Sequence, residues 1–458
     1  MTVAPFPDPL AAGARLRIEV RALLRLAGPL IANNLALAGM NFADTVMAGR
    51  LSARDLAAVA VGSSVWIMVF LFGLGVLMAM SPTAAQCYGG GEDRRIGAYS
   101  RQALWMGGGL AAVLMLALLN AGRLLTAIGI DPAIVPLTVG YIEAIAWGLP
   151  AIYAYLALRF TSEGIGWTRP IMYIALLGLV TNVAGNYVLM YGKLGFPAMG
   201  AVGCGLASAI SMWAMLAAMV MYMLRTPRYR PFAIFARFEL PNPPMLRELL
   251  ALGLPIGVSV VAEAGLFTAV ALLMGTLGAT VVAAHQIAIN YAATMFMIPL
   301  GLHSATTIRV GHALGRGQHA YARFLGFTGI GVCACVMAVS AVLMLIFKDA
   351  IVGLYTVDSE VAGIAVSLLF VAAIFQISDG LQVGAAGALR GFKDTRVPML
   401  LNFTSYWLVG FPLAWYLGIG LGLGPQAVWI GLVAGLTVAA ILLTWRFALV
   451  SARTRQPP

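Results

Sequence analysis

Residues 56–83 read LAAVAVGSSVWIMVFLFGLGVLMAMSPT, a stretch without one formally charged side chain. A helix rises 1.5 Å per residue, so about 20 apolar residues cross the ~30 Å hydrocarbon core of a bilayer. The stretch is therefore read as a membrane span. Similar runs lie near 24–48, 99–121, 136–158, 169–191, 201–224, 247–273, 280–308, 321–347, 360–389, 397–420 and 426–448. The expected architecture is an all-α integral membrane protein of twelve transmembrane helices.

Composition points the same way. Of 458 residues, 61% are hydrophobic and 10% are charged, whereas soluble domains carry about 25% charged residues. A net charge of +11 would suggest a nucleic-acid partner in a soluble protein. Here it reads as arginine in short loops that sets membrane orientation, and no nucleic-acid partner is expected. With the N-terminus inside, only Arg50, Arg54, Arg123, Lys193 and Lys348 of the 28 basic residues fall outside. A miscounted helix would invert every later loop and destroy that bias, so both termini are expected in the cytosol. The apolar run after Arg15, Arg17, Arg21 and Arg25 is too long for a cleaved signal peptide. Cys87, Cys204, Cys333 and Cys335 show no metal-ligand or disulfide spacing and read as small apolar residues.

The chain repeats itself. At an offset of 226, Pro29 falls on Pro255, Gly49 on Gly275, Leu51 on Leu277, Ala57 and Ala58 on Ala283 and Ala284, and Gly75 on Gly301. At 227, Asp131 meets Asp358, Gly164 meets Gly391, and Thr168 and Arg169 meet Thr395 and Arg396. Two six-helix lobes follow, 24–224 and 247–448, between tails 1–23 and 449–458. An even number of helices makes both lobes enter the membrane in one direction, so the pseudo-twofold axis runs along the membrane normal with the substrate path between the lobes. The linker, 225–246 (RTPRYRPFAIFARFELPNPPML), is rich in proline and arginine and is expected in the cytosol, long enough for the lobes to rock.

Charge inside a bilayer costs about 2.5–3.5 kcal/mol per residue, so an acid there is a functional candidate. Four acids fall within spans rather than at their ends: Asp44, Glu143, Glu263 and Asp379. They are not duplicated, since Glu263 corresponds to Leu37 and Asp44 to Val270. Asn182 and Asn186 lie four apart, on one helix face, and could meet Asp44. Phe375, Asp379 and Gln382 share a face, with Gln376 and Ser378 beside it. Oxygen ligands of this kind suit a hard cation such as sodium, and carboxylates alone could equally carry a proton. His285, Gln286, Asn290, Tyr291, Phe375 and Gln382 are candidates to line a cavity. No arginine or lysine is expected deep in any span.

Several stretches resemble the MATE family, the multidrug and toxic compound extruders, and within it the NorM-type bacterial branch. They are PLIANNLALAGMNFADTVMAGRLSARDLAAVAVG at 29–62, MYGKLGFPAMGAVGCGLASA at 190–209, GTLGATVVAAHQIAINYAATMFMIPLG at 275–301, RVGHALGRG at 309–317 and QISDGLQVGAAGALRGFKDTRVP at 376–398. The resemblance implies a bacterial inner-membrane antiporter that exports small organic cations in exchange for sodium or protons. It implies one coupling site at Glu263 and Asp379, where sodium could bind, and another at Asp44, Asn182 and Asn186. The chain departs from the family at Phe375, where some relatives carry a tyrosine whose hydroxyl would serve a sodium site. No other cofactor is expected, and the protein is expected to be monomeric. A lipid-linked sugar flippase of the same superfamily would want a strongly cationic cavity. A major-facilitator transporter would show a charged signature that GGGEDRRIG at 89–97 lacks. A membrane enzyme would need a motif such as HExxH, and a channel would not need duplicated, linker-joined halves.

Overall fold

The computed structural model describes residues 12–127 and 129–453; the outer ends of both expected tails, with Arg455, lie outside them. Among the described residues there is no strand. Eleven helices are long and apolar enough to span a membrane, and a bent pair supplies the twelfth. In chain order they are α1 (Ala12–Leu51), α2 (Ala53–Gly89), α3 (Asp93–Leu119), α4 (Val135–Ala146 with Leu149–Gly164), α5 (Arg169–Met190) and α6 (Gly200–Arg225). The second lobe has α7 (Pro243–Gly275), α8 (Ala279–Gly315), α9 (His319–Ile346), α10 (Ser359–Gly391), α11 (Arg396–Gly420) and α12 (Pro425–Arg453).

Several helices run beyond the apolar windows. Residues 12–23, expected as tail, are the first turns of α1, and 449–453 are the last of α12. Hydropathy marks only the part of a helix that suits hydrocarbon, whereas backbone hydrogen bonding carries it into the interface. Breaks follow proline. Pro150 bends α4 by 43° after Ala146, because the ring has no N–H and collides with the carbonyl four residues earlier. Pro82 interrupts the helical hydrogen bonding of α2 at Met78 and Ala79 without a comparable bend. The outer surface is apolar: Leu35, Phe42, Val113, Val180, Leu343, Leu408 and Trp445 are all exposed. In water such a surface would drive association, and in lipid it is the proper solvent face.

The linker is not a slack tether. Arg101 on α3 donates to Glu239 at 2.9 Å and to the Ala233 carbonyl at 2.8 Å. Gln102 donates to the Leu240 carbonyl and accepts from the Asn242 amide, and Trp105 donates to the Glu239 carbonyl at 2.8 Å. Tyr229 and Ser162 hydroxyls lie 2.6 Å apart. The segment expected to let the lobes rock is thus strapped along the first lobe.

The lobes meet through α1 on α8 and α2 on α7, pairs that the pseudo-twofold exchanges, and through the last turns of α2 and α8. A Cβ on Gly89 would collide with the His312 carbonyl, and one on Gly315 with the Gln86 carbonyl. These positions exchange at an offset of 226, so the axis passes between the two helix ends. Every side-chain hydrogen bond between the lobes, among the described residues, is at the linker end. Glu19 accepts from Arg309 at 2.5 Å and from Tyr321. Tyr99 donates to Glu248 at 2.5 Å, Gln86 to the Gly391 carbonyl at 2.9 Å, and His312 to the Gly164 carbonyl at 2.8 Å.

Candidate functional site

Each lobe buries one polar cluster. In α1 the buried positions Ala36, Met40, Asp44 and Ala48 recur every fourth residue, so the stripe that packs against the lobe carries Asp44 inward. Asn186 donates to one carboxylate oxygen at 2.6 Å, and Ser208 on α6 donates to the other at 3.2 Å. Asn182 in turn donates to the Ser208 hydroxyl at 3.1 Å. Asn186 opens a π-helical segment, Asn186–Met190, a widening of the helix that recurs at functional positions. The structure therefore brings Asp44, Asn182 and Asn186 together as expected. It adds Ser208, a residue type too common in membrane helices to stand out in sequence. The Asn186 side-chain oxygen has no partner. Neutral donors surround the carboxylate.

In the second lobe the buried stripe of α10 holds Phe375, Asp379 and Gln382. Gln382 donates to the Tyr406 hydroxyl at 2.6 Å, and Tyr406 lies in a π-helical segment of α11, Thr404–Gly410. The fifth helix of each lobe thus widens beside its polar cluster, although the residues differ. One Asp379 oxygen, both polar atoms of Gln376 and the Gln382 carbonyl oxygen are buried without a partner. Buried polar atoms are almost always satisfied, so a run of orphans around one acid leaves coordination capacity free. Glu263 on α7 is half-buried and within electrostatic reach of Asp379.

The cavity-lining candidates divide. His285 is buried and accepts from the Trp429 indole at 3.2 Å. Phe375 meets Phe267 and Trp429 edge-on, with ring centres 6.0 and 5.8 Å away. Both belong to an aromatic layer packed inside the lobe, not to an open wall, because indole and phenyl edges fill the space around them. Gln382 is likewise buried, and Tyr291 is half-buried. Gln286 and Asn290 lie on an exposed face of α8, where Asn290 accepts from Tyr355. Glu143 is exposed on α4.

Other buried charges were not expected from the residues. Arg159 and Glu163 on α4 are 6% and 1% exposed and lie 3.8 Å apart. Arg390 on α10 reaches the Met78 sulfur at 3.5 Å and lies within electrostatic reach of both Glu163 and Glu263. Glu19 is 2% exposed under Arg309. Arg159, read as lying beyond its span, is buried among neighbouring helices five residues before the end of α4. Its helix runs past the apolar window at 158 and packs those extra turns between neighbours, so a position read as loop is interior. The duplicated alignment held one signal: Glu163 and Arg390 are equivalent at an offset of 227.

The model of the MatE family matches residues 29–188 and 255–416, one match per lobe. The chain is 46% identical over 443 residues to the "Probable multidrug resistance protein NorM" of Xanthomonas campestris pv. campestris, covering 97% of each. It is 43% identical to the "Multidrug resistance protein PmpM" of Pseudomonas aeruginosa, covering 96% of this chain and 93% of that one. Its fold is similar, at a TM-score of 0.88 and 20% identity, to the outward-facing conformation of a multidrug resistance MATE family transporter, over 98% of this chain and all of that one. A transporter of the MOP superfamily from Pyrococcus furiosus gives 0.85 at 21% identity, over 98% of this chain and all of that one. With both lobes matched and curated relatives at 41–46% identity over nearly their full length, the chain belongs to the MatE family of multidrug efflux transporters.

Proposed function

We propose that the protein is a cation-coupled antiporter of a bacterial inner membrane, exporting organic cations by alternating access with both termini in the cytosol. The observation that carries this reading is the orphaned oxygen set around Asp379, with Glu263 within electrostatic reach of it. Two acids and uncommitted amides offer ligands to a sodium ion, or a carboxylate to a proton. An organic cation bound there would compete for the same charge. Exporting a monovalent cation against an inside-negative potential costs about 2.3 kcal/mol per 100 mV, and one cation entering in exchange cancels that electrical term. The names of the relatives, multidrug resistance proteins, fit a varied cargo.

Phe375 supplies no hydroxyl to Asp379, which favours a proton over sodium in this lobe. The test is ethidium efflux from proteoliposomes of purified protein, with sodium and pH gradients imposed separately. We expect efflux under a pH gradient alone, and loss of it in an Asp379→Asn, Glu263→Gln double variant. Normal export by that variant would overturn the proposal. The flippase reading needs net positive charge in the cavity; at Arg159 and Arg390 the nearby acids Glu163 and Glu263 oppose it.

A further inference from the structure

The two lobe-crossing bonds at the heart of the seal are copies of one another. Gln86 and His312 are equivalent at an offset of 226, and the residues whose carbonyls they cap, Gly391 and Gly164, at 227. Each acceptor is the last residue of its helix, α10 and α4. Terminal carbonyls have no partner within their own helix and form the negative end of its dipole, so a donor from outside is favourable there. Each side chain reaches across the axis to the other lobe, at 2.9 and 2.8 Å. The residues just before the acceptors, Glu163 and Arg390, are also equivalent, yet one is acidic and the other basic. Opposite charges therefore face the axis from related positions, where an undiverged duplication would set like charges. His312 is 5% exposed and packs on the Tyr88 ring, whose centre is 5.2 Å away.

We infer that Gln86 and His312 are positioning residues of the transport cycle: a reciprocal pair of carbonyl latches that holds the linker end closed and must release for the other state. Every transport cycle that alternates access has to separate Gly391 from Gln86 and Gly164 from His312, since both bonds cross between bodies that move apart. Two weak, equivalent bonds suit this role, because each is easily exchanged for water once the interface opens. The inference rests on alternating access and not on the coupled ion or the cargo. Its failure is thus read in distances, and a failure of coupling in flux.

The test uses the full chain in proteoliposomes without substrate, spin-labelled at Arg94→Cys and Ala320→Cys in a Cys335→Ser background. Both label sites are exposed, at the starts of α3 and α9, on opposite lobes at the linker end. Pulsed dipolar spectroscopy reports the separation. The net worth of one hydrogen bond, about 1 kcal/mol, predicts that Gln86→Ala or His312→Ala raises the open-to-closed ratio about fivefold, and the pair more. His312→Gln keeps a donor and copies its partner, so it should leave the distribution at that of the parent. If the alanine variants fail to fold, Gln86→Glu decides, since it keeps the size but removes the donor and should open the seal. Distributions for Gln86→Ala, His312→Ala or Gln86→Glu that superimpose on the parent would overturn the inference. So would His312→Gln opening as far as His312→Ala.

Discussion

Asp44 and Asp379 are both buried acids, but their surroundings differ in kind. Asp44 receives two hydrogen bonds from neutral donors, whereas one oxygen of Asp379 receives none. Burying an unpaired carboxylate is costly and is tolerated for function rather than stability. Asp379→Asn should therefore lower ethidium efflux at least tenfold while leaving the melting temperature in detergent at or above that of the parent protein. A scanning fluorimetry profile beside the flux assay checks both halves, and a large drop in melting temperature would mark the acid as structural. Ser208 touches Asp44 without carrying charge. Ser208→Ala removes one donor to a carboxylate, worth about 1.5 kcal/mol at the low end for such bonds given its 3.2 Å length. Efflux should fall about tenfold, and Ser208→Thr should restore most of it.

At the scale of elements, α3 and the linker behave as one piece. The Arg101 guanidinium, donating to Glu239, holds that carboxyl below its ordinary value of 4.5. A depressed carboxyl contributes to docking fully above the unfolded value and loses the contribution as pH falls through the lowered one. Linker docking should thus be constant from pH 7 to about 5 and weaken only below 4.5. Hydrogen exchange over 228–242, read at pH 5 and at pH 3.5, gives the comparison. Arg101→Ala should expose the same segment at neutral pH, detected as faster tryptic cleavage at Arg228, Arg230 and Arg237. The π-helical widenings of α5 and α11 are a second element-scale feature. They set Asn186 and Tyr406 against their respective clusters, so one architectural device serves two different sets of side chains.

For the whole molecule, the governing fact is where the lobes touch. Their hydrogen bonds are gathered at the linker end, which leaves the opposite ends of α1 and α7 without such ties among the described residues. The glycines at 75 and 257 let α2 and α7 approach closely near mid-helix, 14 residues in from their linker-end termini: a Cβ on Gly75 would lie 2.6 Å from the Gly257 Cα. Gly75→Val should wedge the lobes apart at this contact and loosen the linker end with it. The measurable consequence is a longer distance between the Arg94→Cys and Ala320→Cys labels, together with efflux reduced about tenfold. Gly75→Ala should give a smaller change of the same sign. An unchanged distance in the valine variant would mean that the close packing plays no part in closure.

Membrane insertion, helix number and duplication were legible in the residues because each depends on local, additive properties: length of apolar runs, loop charge and a fixed offset. The acids Asp44, Glu263 and Asp379 stood out for the same reason, as isolated costs in an apolar run. Asn182 and Asn186 could be joined to Asp44 by spacing and the family resemblance. The partners that only packing selects were not legible. Ser208 lies 164 residues from Asp44, and Gln86 lies 305 from the carbonyl it caps. Phe375 and His285, read as cavity wall, are held inside an aromatic layer contributed by α7, α10 and α12, and Arg159 is interior because its helix outlasts its apolar window. The sequence by itself thus determined that two related helical lobes sit in a bilayer and which acids they hide. Tertiary structure decided which end is sealed and by which side chains, because burial and hydrogen bonding across an interface belong to no single segment.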